Sequence, residues 1–201
     1  MERQVQVDDV GSFPLPRGIG SEEFYRAYQL AREALSQGKD ITKDEYLNEK
    51  FCKVVLESFK KKAASGLDVV NFPQQYDGIR QIDDVIHLAM SKGSFVVDEE
   101  KAVLPEVQLI NQQAKELSEE LGKKISLKVS LFGPLEQYLH EIGKNAYPDV
   151  LEGFAETIRR FAKNSLLNSK YIETKVVSID EPSFGFNNIL ASSDVIGNIL
   201  D

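Results

Sequence analysis

Thiols, clustered cations and long apolar runs are all scarce in this 201-residue chain, and each scarcity closes off a class of function. Cys52 is the one cysteine. A single thiol forms no internal disulfide and fits a reducing compartment, and it leaves no zinc site built on two or more thiolates. Histidine is nearly as rare, with only His87 and His140. They lie on separate stretches of helical pattern, and neither belongs to a His-Glu-x-x-His motif. Read singly, each is a helix-face histidine rather than a ligand or a base, so the chain by itself is expected to hold no metal. Cys52, beside Phe51 and Val54, reads as core rather than nucleophile.

Lys and Arg number 24 against 32 Asp and Glu, giving a net charge of −8. That balance argues against a nucleic-acid partner, which needs clustered cations to neutralise phosphates. The one dense basic run, Lys60-Lys61-Lys62, falls near a helix end, where cations suit the dipole, and reads as solvated. No apolar run approaches the ~20 residues of a membrane helix. The first residues, Met-Glu-Arg-Gln-Val-Gln, lack the basic and apolar regions of a signal peptide. A cytoplasmic protein without membrane contact is expected. Gly11-Ser12, Gly18 and Gly20 match neither nucleotide-binding fingerprint, which disfavours an open dinucleotide-binding sheet.

What is present is an alternation of helical periods with short apolar runs, the pattern of a parallel α/β sheet. Gln4–Val10 reads as a first strand closed by Gly11-Ser12-Phe13-Pro14. Ser21 caps a helix with Phe24, Ala27, Tyr28, Ala31 and Leu35 on one stripe. A second helix runs from Asp44 to about Ala64 and ends at Gly66. Leu67–Phe72 is a second strand, followed by a helix through Ile79, Ile82, Val85, Ile86 and Ala89 that stops at Gly93. Ser94–Val97 suggests a short extended piece. Pro105 opens a helix that Gly122 closes. Ile125–Phe132 is a third strand, Pro148 opens a helix to about Leu167, Val176–Asp180 is a fourth strand, and Ser193 caps a last short helix. Four apolar strands are half of what an eight-stranded barrel needs. The expected fold is therefore a (β/α)8 TIM-barrel type of which about four βα units, the first half, are present as one domain.

Barrel active sites form at the C-terminal ends of the strands, so the residues there are the candidates. They are Gly11-Ser12, Pro73-Gln74-Gln75, Gly133-Pro134 and Asp180-Glu181-Pro182. Glycine lets backbone N–H groups approach a ligand, Ser12 adds a hydroxyl, and together they suit a carboxylate. Asp180 then suits an ammonium group, and the set amounts to a clamp for a zwitterion. The competing interpretation treats Gly-Ser and Asp-Glu-Pro as turn formers. It is the stronger one for Gly11-Ser12 on composition alone, and stands even for Asp180-Glu181, because adjacent buried acids are costly without partners. Tyr76 and Asp77 have no feature that separates them from ordinary loop residues, and Phe184-Gly185-Phe186 reads as packing and a turn.

Val-Gly-Ser-Phe-Pro (10–14), Gly-Leu-Asp-Val (66–69), Phe-Gly-Pro (132–134) and Ile-Asp-Glu-Pro-Ser (179–183) occur in the order and rough spacing of the cobalamin-independent methionine synthases. The chain resembles the short, archaeal-type members of that family, which match the catalytic domain of longer ones. The resemblance implies zinc-dependent methyl transfer to the thiol of homocysteine, with methyltetrahydrofolate or a methylated corrinoid protein as donor. It places the substrate carboxylate at Gly11 and Ser12 and the amino group at Asp180. Where the family has His-Gly-Glu, this chain has Phe72-Pro73-Gln74, so a neutral amide replaces a charge at Gln74 and another thiol, such as coenzyme M, stays open.

The family's zinc ligands, a His-x-Cys pair, a glutamate and a last cysteine, lie beyond the Asp-Glu-Pro strand. None of them exists here, so zinc belongs to the complete enzyme and the 201-residue chain alone is expected to be inactive. It reads as a truncated form, a proteolysed form or the product of a split gene. The alternative is a non-catalytic binding or assembly module derived from the barrel. Ser12, Gln74, Gly133 and Asp180 are expected to line one concave surface. The open sheet edges are expected to drive self-association or docking of a separate C-terminal half, burying Val69, Val129 and Ile179.

Overall fold

Three parallel strands and eight α-helices organise residues 5–145 and 147–183, which the computed structural model describes. The helices are α1 (Ser21–Ser36), α2 (Glu45–Leu47), α3 (Lys53–Ala63), α4 (Arg80–Met90), α5 (Pro105–Gln112), α6 (Ala114–Leu121), α7 (Pro134–Glu141) and α8 (Pro148–Asn164). The strands are β1 (Val70–Asn71), β2 (Ile125–Phe132) and β3 (Ile172–Asp180), in the order β1-β2-β3. Val70 pairs with Leu127 and Asn71 with Lys128. Ile125 N–H donates to Tyr171 at one end of the β2–β3 pair and Gly133 N–H to Asp180 at the other. The predicted cap at Ser193 and the Phe184-Gly185-Phe186 turn lie outside the described residues.

The first predicted strand shrinks to a single parallel bridge between Asp8 and Val69. Carboxylates explain why. Asp9 Oδ1 takes the Asn71 N–H at 2.7 Å and Asp68 Oδ2 takes the Val7 N–H at 2.9 Å, so side chains occupy donors that a ladder would use. Val5, Val7 and Val10 are left exposed. Of the four predicted strands, the second also contracts, to Val70–Asn71, and the last extends back to Ile172. Ser94–Val97 forms no strand.

The chain forms two compact units. The first comprises residues 1–76, 103–130 and 165–178, and the second residues 77–102, 131–164 and 179–201. In the first, Asp44 caps α2 by accepting the Leu47 N–H at 2.9 Å, and a π turn at Asn48–Cys52 joins α2 to α3. That wide turn places Phe51 and Cys52 inward together with Leu47 and Val55. Phe24 packs on Phe51 with ring centroids 5.7 Å apart, and Tyr28 stacks on Tyr76 at 4.1 Å. Fully burying one such side chain stabilises by roughly 1.5–3 kcal/mol. The stretch expected as one helix from Pro105 breaks at Gln113 into α5 and α6, and Gly122 closes it in the left-handed region with φ 67°.

In the second unit α7 and α8 pack together, with Tyr138 edge-on to Phe154 at 5.8 Å. Thr157 Oγ1 accepts the Val97 N–H at 3.1 Å and donates to Phe95 O at 3.2 Å, which ties the segment after α4 to α8. Gly153 is required there, because a Cβ would come within 2.8 Å of Phe95 Cβ. Among the described residues no helix is long and apolar enough to cross a membrane.

Candidate functional site

In the first unit two strand tips are laced together by a buried cation. Lys62, at the end of α3, pairs with Asp9 at 2.5 Å and donates to Gly11 O at 3.2 Å and Phe72 O at 3.3 Å. Its side chain is 4% exposed, so the predicted solvated basic run holds for Lys60, which pairs with Glu120, but not for Lys62. The three lysines spread over about 200° of the helix, and Lys62 is the one on its buried side. Phe13 N–H donates to Pro73 O at 2.7 Å, and Gln75 Nε2 donates to Pro14 O at 3.2 Å and Ser58 Oγ at 3.0 Å.

This lacing brings Gly11, Ser12 and Gln74 together. Gly11 has φ 128°, and a Cβ on it would meet Gln74 Oε1 at 2.6 Å and Asn71 Nδ2 at 2.7 Å. Only glycine satisfies both the conformation and the space. Gln74 itself stands at φ 50°, the one non-glycine residue with positive φ among those described, a strained state for a long side chain. Ser12 is exposed and Gln74 half-buried, whereas Gln75 is buried and structural.

A residue the sequence did not single out holds the strained tip. Glu106, fully buried in the first turn of α5, accepts the Gln75 N–H at 3.1 Å and bonds the Gln74 backbone as well. Burial pushes its carboxyl up to about 8, against the pull of those N–H groups and of Lys62. An acid after a proline in a first helical turn ordinarily faces solvent, so nothing in the sequence marked it. Asn71 is the second residue missed. Its Nδ2 reaches Ser130 Oγ at 3.0 Å while its Oδ1 takes no hydrogen bond, leaving a buried acceptor in the amide that lies against Gly11.

The second unit contains Gly133, Asp180 and Glu181. Glu181 Oε1 accepts the Leu135 N–H at 2.9 Å and Oε2 the Glu136 N–H at 2.8 Å, so its carboxylate caps α7 from outside the helix. Glu136 Oε2 in turn accepts the Ser183 N–H at 3.1 Å. Gly133 has no room for a Cβ because the Glu181 side chain fills that space. Phe-Gly-Pro and Asp-Glu-Pro are thus two halves of one interlock. Burial raises the Glu181 carboxyl above its ordinary range although both backbone N–H groups oppose it. Asp180 is half-buried at the end of β3, with its backbone oxygen on Gly133 N–H.

The other candidates resolve into structural roles. Tyr76 belongs to the aromatic core, and Asp77 Oδ1 caps α4 by accepting the Ile79 and Arg80 N–H groups, each at 3.0 Å. Cys52 is fully buried and its thiol is pushed up to about 12 by desolvation, the opposite of an activated nucleophile. With no second cysteine, the chain's donors do not fit a thiolate zinc centre. His87 and His140, expected to stand apart, meet at one cluster. His140 Nδ1 lies 2.9 Å from Asp83 Oδ2 and 3.3 Å from Glu141 Oε1, and His87 Nε2 contacts Glu141 Oε2.

Compared with protein-family models, with curated proteins and with solved structures, the chain matches none.

Proposed function

We propose that residues 1–201 supply the amino-acid-binding half of a methionine-synthase-like (β/α)8 barrel. In this reading Gly11 and Ser12 take the carboxylate of homocysteine or a similar thiol amino acid. The observation that carries the proposal is the enforced contact of Gly11 with Gln74 beside an exposed Ser12 hydroxyl. A strained glutamine held by a buried acid costs free energy that a mere turn has no reason to spend. Gln74 offers an amide, both donor and acceptor, where a carboxylate would set a second anion beside that of the ligand. Methyl transfer from methyltetrahydrofolate or a methylcorrinoid protein to the thiol requires a metal-bearing half that these residues do not provide, and residues 1–201 alone are expected to be inactive.

One observation favours a second reading, a non-catalytic binding or assembly module. Glu181, the more distinctive acid of Asp-Glu-Pro, is consumed in capping α7. A ligand panel separates the readings. Calorimetric titration with homocysteine, methionine and coenzyme M is expected to show saturable binding of the two amino acids and not of the sulfonate. Preference for coenzyme M would reassign the substrate, and no binding of any of the three would favour the module.

A further inference from the structure

Asp83 and His87 stand one turn apart on α4, and His140 and Glu141 occupy the last turn of α7. Asp83, His140 and Glu141 each bring a ligand atom within 4.8 Å of the others. Both acids are withdrawn from water, with side chains 4% and 10% exposed, and their ion partners are histidines. Asp83 Oδ1 is buried and takes no hydrogen bond. Two carboxylates buried against each other repel unless a proton or a cation joins them. The histidine side chains are 58% and 52% exposed, so an ion reaches the cluster from solvent.

We propose that Asp83, His140 and Glu141 form a divalent transition-metal site that pins α4 to α7, with water completing the coordination. His87 orients Glu141 from the second oxygen, as groups outside a metal's own ligands commonly do. Two oxygens and one imidazole nitrogen, with no sulfur, form a donor set for zinc(II), cobalt(II) or a similar borderline ion. It departs from the expectation of a metal-free chain, which counted ligands along single helices. It is independent of the thiolate zinc chemistry of methyl transfer, for which these donors do not serve. Its consequence is mechanical, since α7 would be fixed at its C-terminal end by the ion and at its N-terminal end by Glu181.

The test uses the full chain, untagged and stripped with chelator, titrated with cobalt(II) by visible absorption and with zinc(II) by calorimetry. One equivalent of each is expected to bind, with d–d bands of a low-coordinate cobalt site and a higher melting temperature in zinc. His140→Ala, at a half-exposed position where folding is not at stake, is expected to weaken zinc ~10–100-fold and to abolish the cobalt bands. Asp83→Asn is expected to do the same if it folds, as circular dichroism reports. Absence of saturable uptake at millimolar metal overturns the proposal and leaves the cluster a hydrogen-bonded network. So does a stoichiometric site whose affinity and spectrum are unchanged in His140→Ala.

Discussion

Glu106 carries the clearest pH signature of any single residue. Its carboxyl is pushed up to about 8 in the folded chain from an ordinary 4.5 by burial, against the opposing pull of Lys62. A raised folded value means that the native state keeps a proton the unfolded chain releases. The stabilisation is full below about 4.5 and is lost as pH rises through about 8, at ~1.4 kcal/mol per pH unit in between. Glu106→Gln keeps an acceptor for the Gln75 N–H and is expected to remove that slope, read from urea unfolding at a series of pH values. An unchanged slope would place the titration elsewhere. Lys62 belongs to the same tip. Lys62→Ala leaves the partly buried Asp9 carboxylate without its cation and is expected to cost ~3–5 kcal/mol, while Lys60→Ala stays within ~0.5 kcal/mol. Equal losses in the two variants would show that the burial difference between them is not felt.

At the scale of elements, the interlock of Gly133 with Glu181 makes a prediction about coupling. Glu181→Ala removes the cap from two N–H groups of α7 and is expected to cost ~0.5–2 kcal/mol. Gly133→Ala drives a methyl into the Glu181 side chain and is expected to cost ~1–3 kcal/mol, yet the double variant should cost less than the sum. Additive losses in denaturant unfolding would mean that the two residues do not share the space. Elements were well legible in the sequence where pattern and punctuation agreed. The third predicted strand, Ile125–Phe132, has its apolar run bounded by Lys124 and Gly133, and it matches β2 residue for residue. The first predicted strand was not legible, because Asp9 and Asp68 compete with the ladder through their own side chains. The site was legible in part. Glycines at strand ends flagged Gly11 and Gly133, but contacts between elements far apart in sequence left Glu106 and the α4–α7 cluster unseen. Asp83 and His87, at i and i+4, were the available signal for the latter.

For the whole molecule, β3 is the informative strand. β1 is buried and β2 nearly so, whereas Val176, Val177 and Ser178 are only half-buried and Ile179 is 44% exposed. Among the described residues β3 is an edge of the sheet, and an apolar edge strand invites another partner, so Ile179→Lys is expected to raise the fraction of monomer in light scattering without lowering the melting temperature. A wild-type chain that is already monomeric at all concentrations would remove the basis for that partner. Val69 and Val129, expected to be covered by the same partner, are already buried within the chain. The central proposal is that Gly11, Ser12 and Gln74 receive the carboxylate end of one amino acid. The most direct test is chemical-shift mapping of backbone amides during titration with L-homocysteine. The account predicts that these three residues shift together, saturably and with one affinity, and that Ser12→Ala weakens binding. Shifts that spare these residues, or that are absent at saturating ligand, would contradict it.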